Sequence, residues 1–139
     1  MKDIQILKQE LENGKYTDTF CSLCTSEEET LYQRNKYIQA IDRFCQNFGT
    51  KSVEIYSTPG RSEVCGNHTD HQHGMVLAAA VNMDAVAVAA PREDTQVRLY
   101  SEGFGMVELD LGNLEKQERE EGTTMSLIRG VAAGMKKKG

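Results

Sequence analysis

Between Ser26 and Gly49 the chain carries a helix start, a helical apolar period and a helix stop in succession. Ser26-Glu-Glu-Glu29 has capping-box spacing, in which the serine hydroxyl accepts from the Glu29 amide and the Glu29 carboxylate returns to the amide of Ser26. Leu31, Tyr37 or Ile38, Ile41, Phe44 and Phe48 recur every three or four residues, and Gly49 suits the left-handed C-terminal stop. The pattern predicts one helix over 27–48. Its aromatics follow the burial period and so read as core rather than as a ligand box. A helix of this length with one apolar stripe requires other elements to cover it.

The flanking sequence supplies them. Ile4, Leu7 and Leu11 share a helical face within residues 1–14, with Gly14 as terminator. Cys21-Ser-Leu-Cys24 falls in a polar connector; C-x-x-C can open a zinc site or a redox pair, but no second C-x-x-C follows. The four cysteines, Cys21, Cys24, Cys45 and Cys65, therefore read as reduced thiols. Val53-Glu-Ile-Tyr-Ser57 alternates like a strand and delivers the chain to Pro59-Gly60, where a turn is expected. Met75–Val81 and Ala85–Ala90 are unbroken runs of apolar, mostly small residues, which read as well-buried strands or as a strand joined to a short helix. Val97–Ser101 and Met106–Leu111 continue as strands of an antiparallel meander, after turn chemistry at Pro91-Arg-Glu-Asp94. Glu115–Glu121 reads as a solvated charged connector. Met125, Ile128, Val131, Ala132 and Met135 predict a last helix over 123–135, and Lys136-Lys-Lys138 at its end suits the helix dipole without calling for a partner.

The fold class expected is α+β, a mixed or antiparallel sheet packed with helices. At 139 residues the chain suits a single domain, a helical lead-in over about 1–49 and a sheet region over about 50–139, and is too short for two ordinary domains with a substrate cleft between them. A net charge of -5 argues against a nucleic-acid surface. No apolar run approaches the roughly 20 residues that span a membrane, and Met1-Lys-Asp-Ile-Gln-Ile6 lacks the apolar region of a secretory signal, so a cytoplasmic location is expected.

Chemistry concentrates in Thr58–Gly74. Arg61 supplies a fixed cation, and Asn67, His68, Thr69 and Asp70 supply an amide, an imidazole, a hydroxyl and a carboxylate, a set suited to a polyol. Residue types alone divide evenly between such a site and a polar surface loop. His68, Asp70, His71 and His73 are legitimate metal ligands, but they share no helical face and match no familiar zinc spacing, so no metal is expected. Neither G-x-x-x-x-G-K-S/T nor G-x-G-x-x-G occurs here.

Pro59-Gly-Arg-Ser-Glu-Val-Cys-Gly-Asn-His-Thr-Asp-His-Gln-His-Gly-Met-Val-Leu77 resembles the signature of galactokinases, members of the GHMP group of small-molecule kinases. The resemblance extends through Val97–Ser101 and Gly130-Val-Ala-Ala133 and covers most of the chain from about residue 50. It implies a sugar site in a reaction moving the γ-phosphoryl group of ATP, with Mg2+, onto the C1 hydroxyl of galactose. It also implies that Arg61 stabilises the transition state, that Asn67, His68, Thr69 and Asp70 bind the sugar, and that Ser101 contacts the nucleotide. Asn67 stands where the family carries glutamate, exchanging a charged acceptor for a neutral amide and so weakening one sugar contact. Ser62-Glu-Val-Cys65 and His71 also depart from the pattern, and Glu63 either lies on the surface or alters Arg61 by pointing inward. The family's phosphate loop, magnesium-binding acid and catalytic aspartate fall beyond Gly139. The resemblance therefore implies an incomplete, catalytically incompetent N-terminal portion, whose uncovered sheet edges and apolar faces favour self-association. A non-catalytic sugar-sensing or vestigial protein is the alternative, and a metal-binding module the third reading.

Overall fold

The computed structural model describes residues 1–66 and 73–139, which fall into two compact units, Met1–Ala90 and Pro91–Gly139. In chain order the elements are β1 (Lys2–Asp3), α1 (Ile4–Glu12), α2 (Thr17–Leu23), α3 (Glu27–Phe48), β2 (Ser52–Cys65), β3 (Leu77–Ala89), β4 (Gln96–Ser101), β5 (Gly105–Asp110), a 3-10 turn at Glu118–Glu120 and α4 (Thr124–Lys138). The architecture is mixed helix and antiparallel sheet, as expected.

In the first unit, β1, β2 and β3 form an antiparallel sheet in that order. Ile4, Leu7 and Leu11 from α1, Phe20 from α2, Ile41 and Phe44 from α3 and Val53 from β2 make the core, with Tyr37, Ile38, Ile55 and Val88 packed against it. Helix α3 has the bounds its sequence predicts and ends at Gly49, whose φ of 76° suits glycine and whose amide donates to the Cys45 carbonyl at 2.9 Å. Its start differs in one contact. The Ser26 hydroxyl accepts from the Glu29 amide at 3.2 Å, but the Glu29 carboxylate accepts from the amide and hydroxyl of Thr25, at 2.8 and 3.0 Å, rather than from Ser26. Leu31, expected in the core, is 47% exposed, because the buried face of α3 begins a turn later.

Three local expectations are corrected. Cys21-Ser-Leu-Cys24 is not in a connector: Cys21 lies in α2 and Cys24 caps it, and Phe20 anchors the helix edge-on to Tyr37 at a ring separation of 5.1 Å. All four cysteines are free. Pro59-Gly60 does not end the strand; β2 continues to Cys65, with an irregularity between Pro59 and Arg61. Proline lacks the N–H that a regular ladder needs, so a strand accommodates it where pairing is interrupted. The apolar runs after residue 75 form one strand, β3, and its Leu77–Ala80 portion is exposed rather than buried.

In the second unit, β4 and β5 pair as an antiparallel hairpin from Gln96↔Asp110 to Ser101↔Gly105. Within this unit the two strands form a two-stranded sheet. The charged segment after Glu115 is not simply a solvated connector: Glu120 is 3% exposed and grips Arg129 of α4, itself 7% exposed. Helix α4 begins where expected, with Thr123 as its cap, and runs on through Lys138. Val131 and Met135 of its anticipated apolar face are exposed, and Arg129 is the residue it buries. Leu109 is the buried apolar side chain described in this unit, and Met125, Ile128, Ala132 and Ala133 of α4 are half-buried.

Candidate functional site

The sheet face that carries Arg61 is set by the register of β2 on β3. From Glu54↔Ala89 to Pro59↔Asp84 the two strands pair residue for residue. The next pair is Arg61↔Ala80, so a single residue, Gly60, stands opposite Val81, Asn82 and Met83. The extra length on β3 bends that strand and re-aims the side chains beside it. Gly60 fills the tight side of the bend: a Cβ there would meet Val81 Cγ2 at 3.0 Å and the Met83 carbonyl at 3.1 Å. A second irregularity, between Glu63 and Cys65, adds one residue to β2.

The bend is latched to α3 by a polar seam. Glu29, Gln33 and Lys36 lie three and four residues apart along one side of the helix. Asn82 donates its side-chain amide to Glu29 Oε1, and Gln33 Nε2 donates to the Asn82 carbonyl at 3.4 Å. Lys36 Nζ pairs with Asp84 Oδ1, and the Ser57 hydroxyl donates to Asp84 Oδ2 at 2.6 Å. Burial alone would raise the Asp84 pKa, but the bonds from Lys36 and Ser57 outweigh it and hold the carboxyl below the usual aspartate range. Bonds from the Thr25 amide and hydroxyl, reinforced by Asn82, likewise lower Glu29. These residues carry no motif. Their only trace in the sequence is a polar i, i+4, i+7 stripe beside the apolar one, a pattern shared by any solvated helix face.

Arg61 sits immediately after this bend, is exposed, and its side chain makes no hydrogen bond or ion pair to another of the described residues. Its neighbours Ser62, Glu63, Val64 and Cys65 are exposed too, which answers the question left over Glu63. Gly66 closes β2 at φ 120°, where an added Cβ would lie 2.8 Å from the Met75 carbonyl and from Val76 Cα. The connection between β2 and β3 therefore departs through a position only glycine fills comfortably. Asn67, His68, Thr69 and Asp70, with His71, lie outside the described residues. His73, on the return to β3, takes φ 57°, a left-handed geometry in which histidine is enriched among non-glycine residues. Among the described residues, no three His, Cys, Asp or Glu side chains are grouped to hold a metal ion.

Ser101 belongs to the second unit, where it is half-buried at the last pair of the β4–β5 hairpin and its carbonyl accepts from the Phe104 amide at 3.0 Å. In the same unit, Arg129 donates Nε and Nη2 to the two Glu120 oxygens at 2.7 Å each. Its Nη1 donates to the carbonyls of Asp110, at 2.9 Å, and Asn113. The Arg129 guanidinium holds the Glu120 carboxyl below its ordinary range. This cluster is structural in character: every guanidinium nitrogen is committed to a protein acceptor.

The strands and their connection coincide with a known pattern. Residues 42–91 match the galactokinase galactose-binding signature, which spans the end of α3, β2, β3 and the segment between the strands. The chain is 41% identical over 83 residues to the galactokinase of Lactococcus lactis subsp. lactis strain IL1403, covering 57% of this chain and 21% of that protein. It is 32% identical over 99 residues to the galactokinase of Streptococcus suis strain 05ZYH33, covering 69% and 25% respectively. Its fold is similar to the crystal structure of Lactococcus lactis galactokinase complexed with galactose, with a TM-score of 0.62 and 36% identity over 70% of this chain and 26% of the other. The chain thus spans about a fifth to a quarter of the length of these relatives.

Proposed function

We propose that this chain is the galactose-binding N-terminal part of a galactokinase-like enzyme. The observation that carries the reading is the match to the galactose-binding signature, which covers the end of α3, the bent β2–β3 ribbon and the connection between its strands. In this reading Asn67, His68, Thr69 and Asp70 present an amide, an imidazole, a hydroxyl and a carboxylate to the sugar hydroxyls. Arg61, on β2 and upstream of them in the chain, opposes the negative charge of a phosphoryl group passing from ATP to the C1 hydroxyl. Its guanidinium stays charged throughout, and its donors are not taken up by other described residues. Ser101 contributes a hydroxyl to the nucleotide.

ATP and Mg2+ belong, in this proposal, to a longer parent protein. Among the described residues, no set of metal ligands is grouped. Phosphoryl transfer depends on positioning nucleotide and acceptor together, and the 139-residue chain alone is expected to show no turnover. A cytoplasmic setting accompanies this reading.

The test has two arms. Titration of the purified chain with galactose, followed by calorimetry or by NMR shifts of residues 61–74, is expected to show saturable binding, and no response up to solubility would overturn the sugar assignment. Incubation with galactose and labelled ATP is expected to yield no galactose 1-phosphate; robust phosphorylation would overturn the expectation of incompetence. In a longer parent carrying the same segment, Arg61→Ala should lower kcat far more than it weakens sugar binding. Equal losses would refute the assigned role.

Asn67 favours a second reading, a sugar-binding protein without catalysis, because a neutral amide replaces the charged acceptor of the family pattern. A coding sequence that continues into a Gly-Leu-Ser-Ser-Ser-type phosphate loop supports the kinase; galactose binding without phosphorylation by the longest natural product supports the sensor.

A further inference from the structure

We infer that Asn82 and Asp84 of β3, held by Glu29, Gln33 and Lys36 of α3, are positioning residues for Arg61: they fix which of two registers the β2–β3 ribbon takes. All of these residues lie within Met1–Ala90. The value of this for catalysis rests on the phosphoryl-transfer reading of Arg61, whereas the choice of register does not.

The ribbon has two ways to pass Gly60. Continued without a break, the ladder that runs from Glu54↔Ala89 to Pro59↔Asp84 would set Gly60 opposite Met83, Arg61 opposite Asn82 and Ser62 opposite Val81. Instead Arg61 pairs with Ala80 and Ser62 with Ala79, two residues nearer the start of β3. At about 3.3 Å per residue, the difference moves Arg61 about 7 Å along its partner strand. The shift is an even number of residues, so every side chain keeps its face of the sheet. Alternation of apolar and polar positions therefore does not choose between the two registers.

The observed register gives up ladder bonds, because Val81, Asn82 and Met83 share one opposite residue. Something must offset that loss. The seam to α3 does so at two points of the bulge. Glu29 accepts from the Asn82 side-chain amide, and Gln33 donates at 3.4 Å to the Asn82 carbonyl, a main-chain acceptor at the centre of the bulge. Lys36 pairs with Asp84, which also accepts from Ser57 at 2.6 Å. In the unbroken register Arg61 would stand opposite Asn82, the residue that Glu29 holds, and so beside an acidic group. In the bulged one its side chain meets no partner among the described residues, and the guanidinium stays available to a phosphoryl group. A misplacement of about 1 Å can already cost about a hundredfold in rate.

The test reads the register directly, from cross-strand nuclear Overhauser contacts in the isotopically labelled 139-residue chain. The wild type should show Ser62 against Ala79 and not against Val81. Asn82→Ala combined with Asp84→Ala removes both anchors and should raise the share of molecules with Ser62–Val81 contacts at least about tenfold. In those molecules the Arg61 Nε–H should gain a contact with Glu29. Gly60→Ala, which crowds Val81 and the Met83 carbonyl only in the bulged register, should shift the balance the same way and leaves the seam residues untouched. Leu11→Ala, a core change in the same unit, should lower stability and keep the Ser62–Ala79 contacts. A wild type that already shows Ser62–Val81 contacts, retention of Ser62–Ala79 in both shifted variants, or an equal shift in Leu11→Ala would each overturn the proposal. These contacts are read without galactose, so a wild-type chain that fails to bind the sugar would overturn the sugar reading and not the register.

Discussion

The contact between Lys36 and Asp84 offers a quantitative test of how α3 holds the bend that precedes Arg61. The Asp84 side chain is 11% exposed and that of Lys36 25%. Exposed ion pairs contribute roughly 0.2–1 kcal/mol, and removing one partner of a fully buried pair costs roughly 3–5 kcal/mol. This pair lies between those limits, and the Ser57 hydroxyl also donates to Asp84 at 2.6 Å. Asp84→Asn keeps an acceptor for that hydroxyl and removes only the charge, so the expected loss is about 2 kcal/mol. Lys36→Met preserves the aliphatic stem and should cost about as much, with a coupling of about 1–2 kcal/mol when the two are combined. Urea unfolding followed by far-UV circular dichroism measures all four corners of the cycle. The Asp84 pKa is lowered in the folded chain. Its stabilisation is therefore present above the unfolded value of about 3.9 and is lost as pH falls through the folded one. The difference between wild type and Asp84→Asn should accordingly shrink on acidification below that range. A coupling under about 0.5 kcal/mol, or a difference that ignores pH, would refute the latch.

Other outcomes follow from the same contacts. Ile41 is 1% exposed at the centre of the first unit, and Ile41→Ala should cost about 3 kcal/mol, against less than about 0.5 for Leu31→Ala on the exposed face. Both are read from urea midpoints. Gly66→Ala forces a Cβ against the Met75 carbonyl and Val76 at φ 120°, so it should destabilise the β2–β3 connection by about 1–3 kcal/mol and weaken the proposed galactose binding in a titration. Glu120→Gln removes the charge that Arg129 grips and should lower the melting temperature of the second unit. The Glu120 carboxyl is held below its ordinary range, so the unit should also melt earlier as pH falls through that lowered value.

Local signals determined much of this protein. Ser26, the apolar period and Gly49 set α3 to the residue, because caps and periodicity act within a few turns of chain. Alternation marks the beginnings of β2, β4 and β5, and the run from Pro59 to Leu77 carries the residues of the proposed sugar site. Tertiary structure decided the rest, for reasons of partnership. Pro59-Gly60 carries turn chemistry, yet β3 pairs with β2 on both sides of it and converts the turn into a bend within a strand. Cys21-Ser-Leu-Cys24 looks like a connector until Phe20 meets Tyr37. The Lys36–Asp84 and Glu120–Arg129 contacts join residues 48 and 9 positions apart. A charge inside a polar stretch does not announce whether water or an opposite charge will receive it. That choice depends on which surfaces the folded elements bring together, and it is where local pattern ends and packing begins.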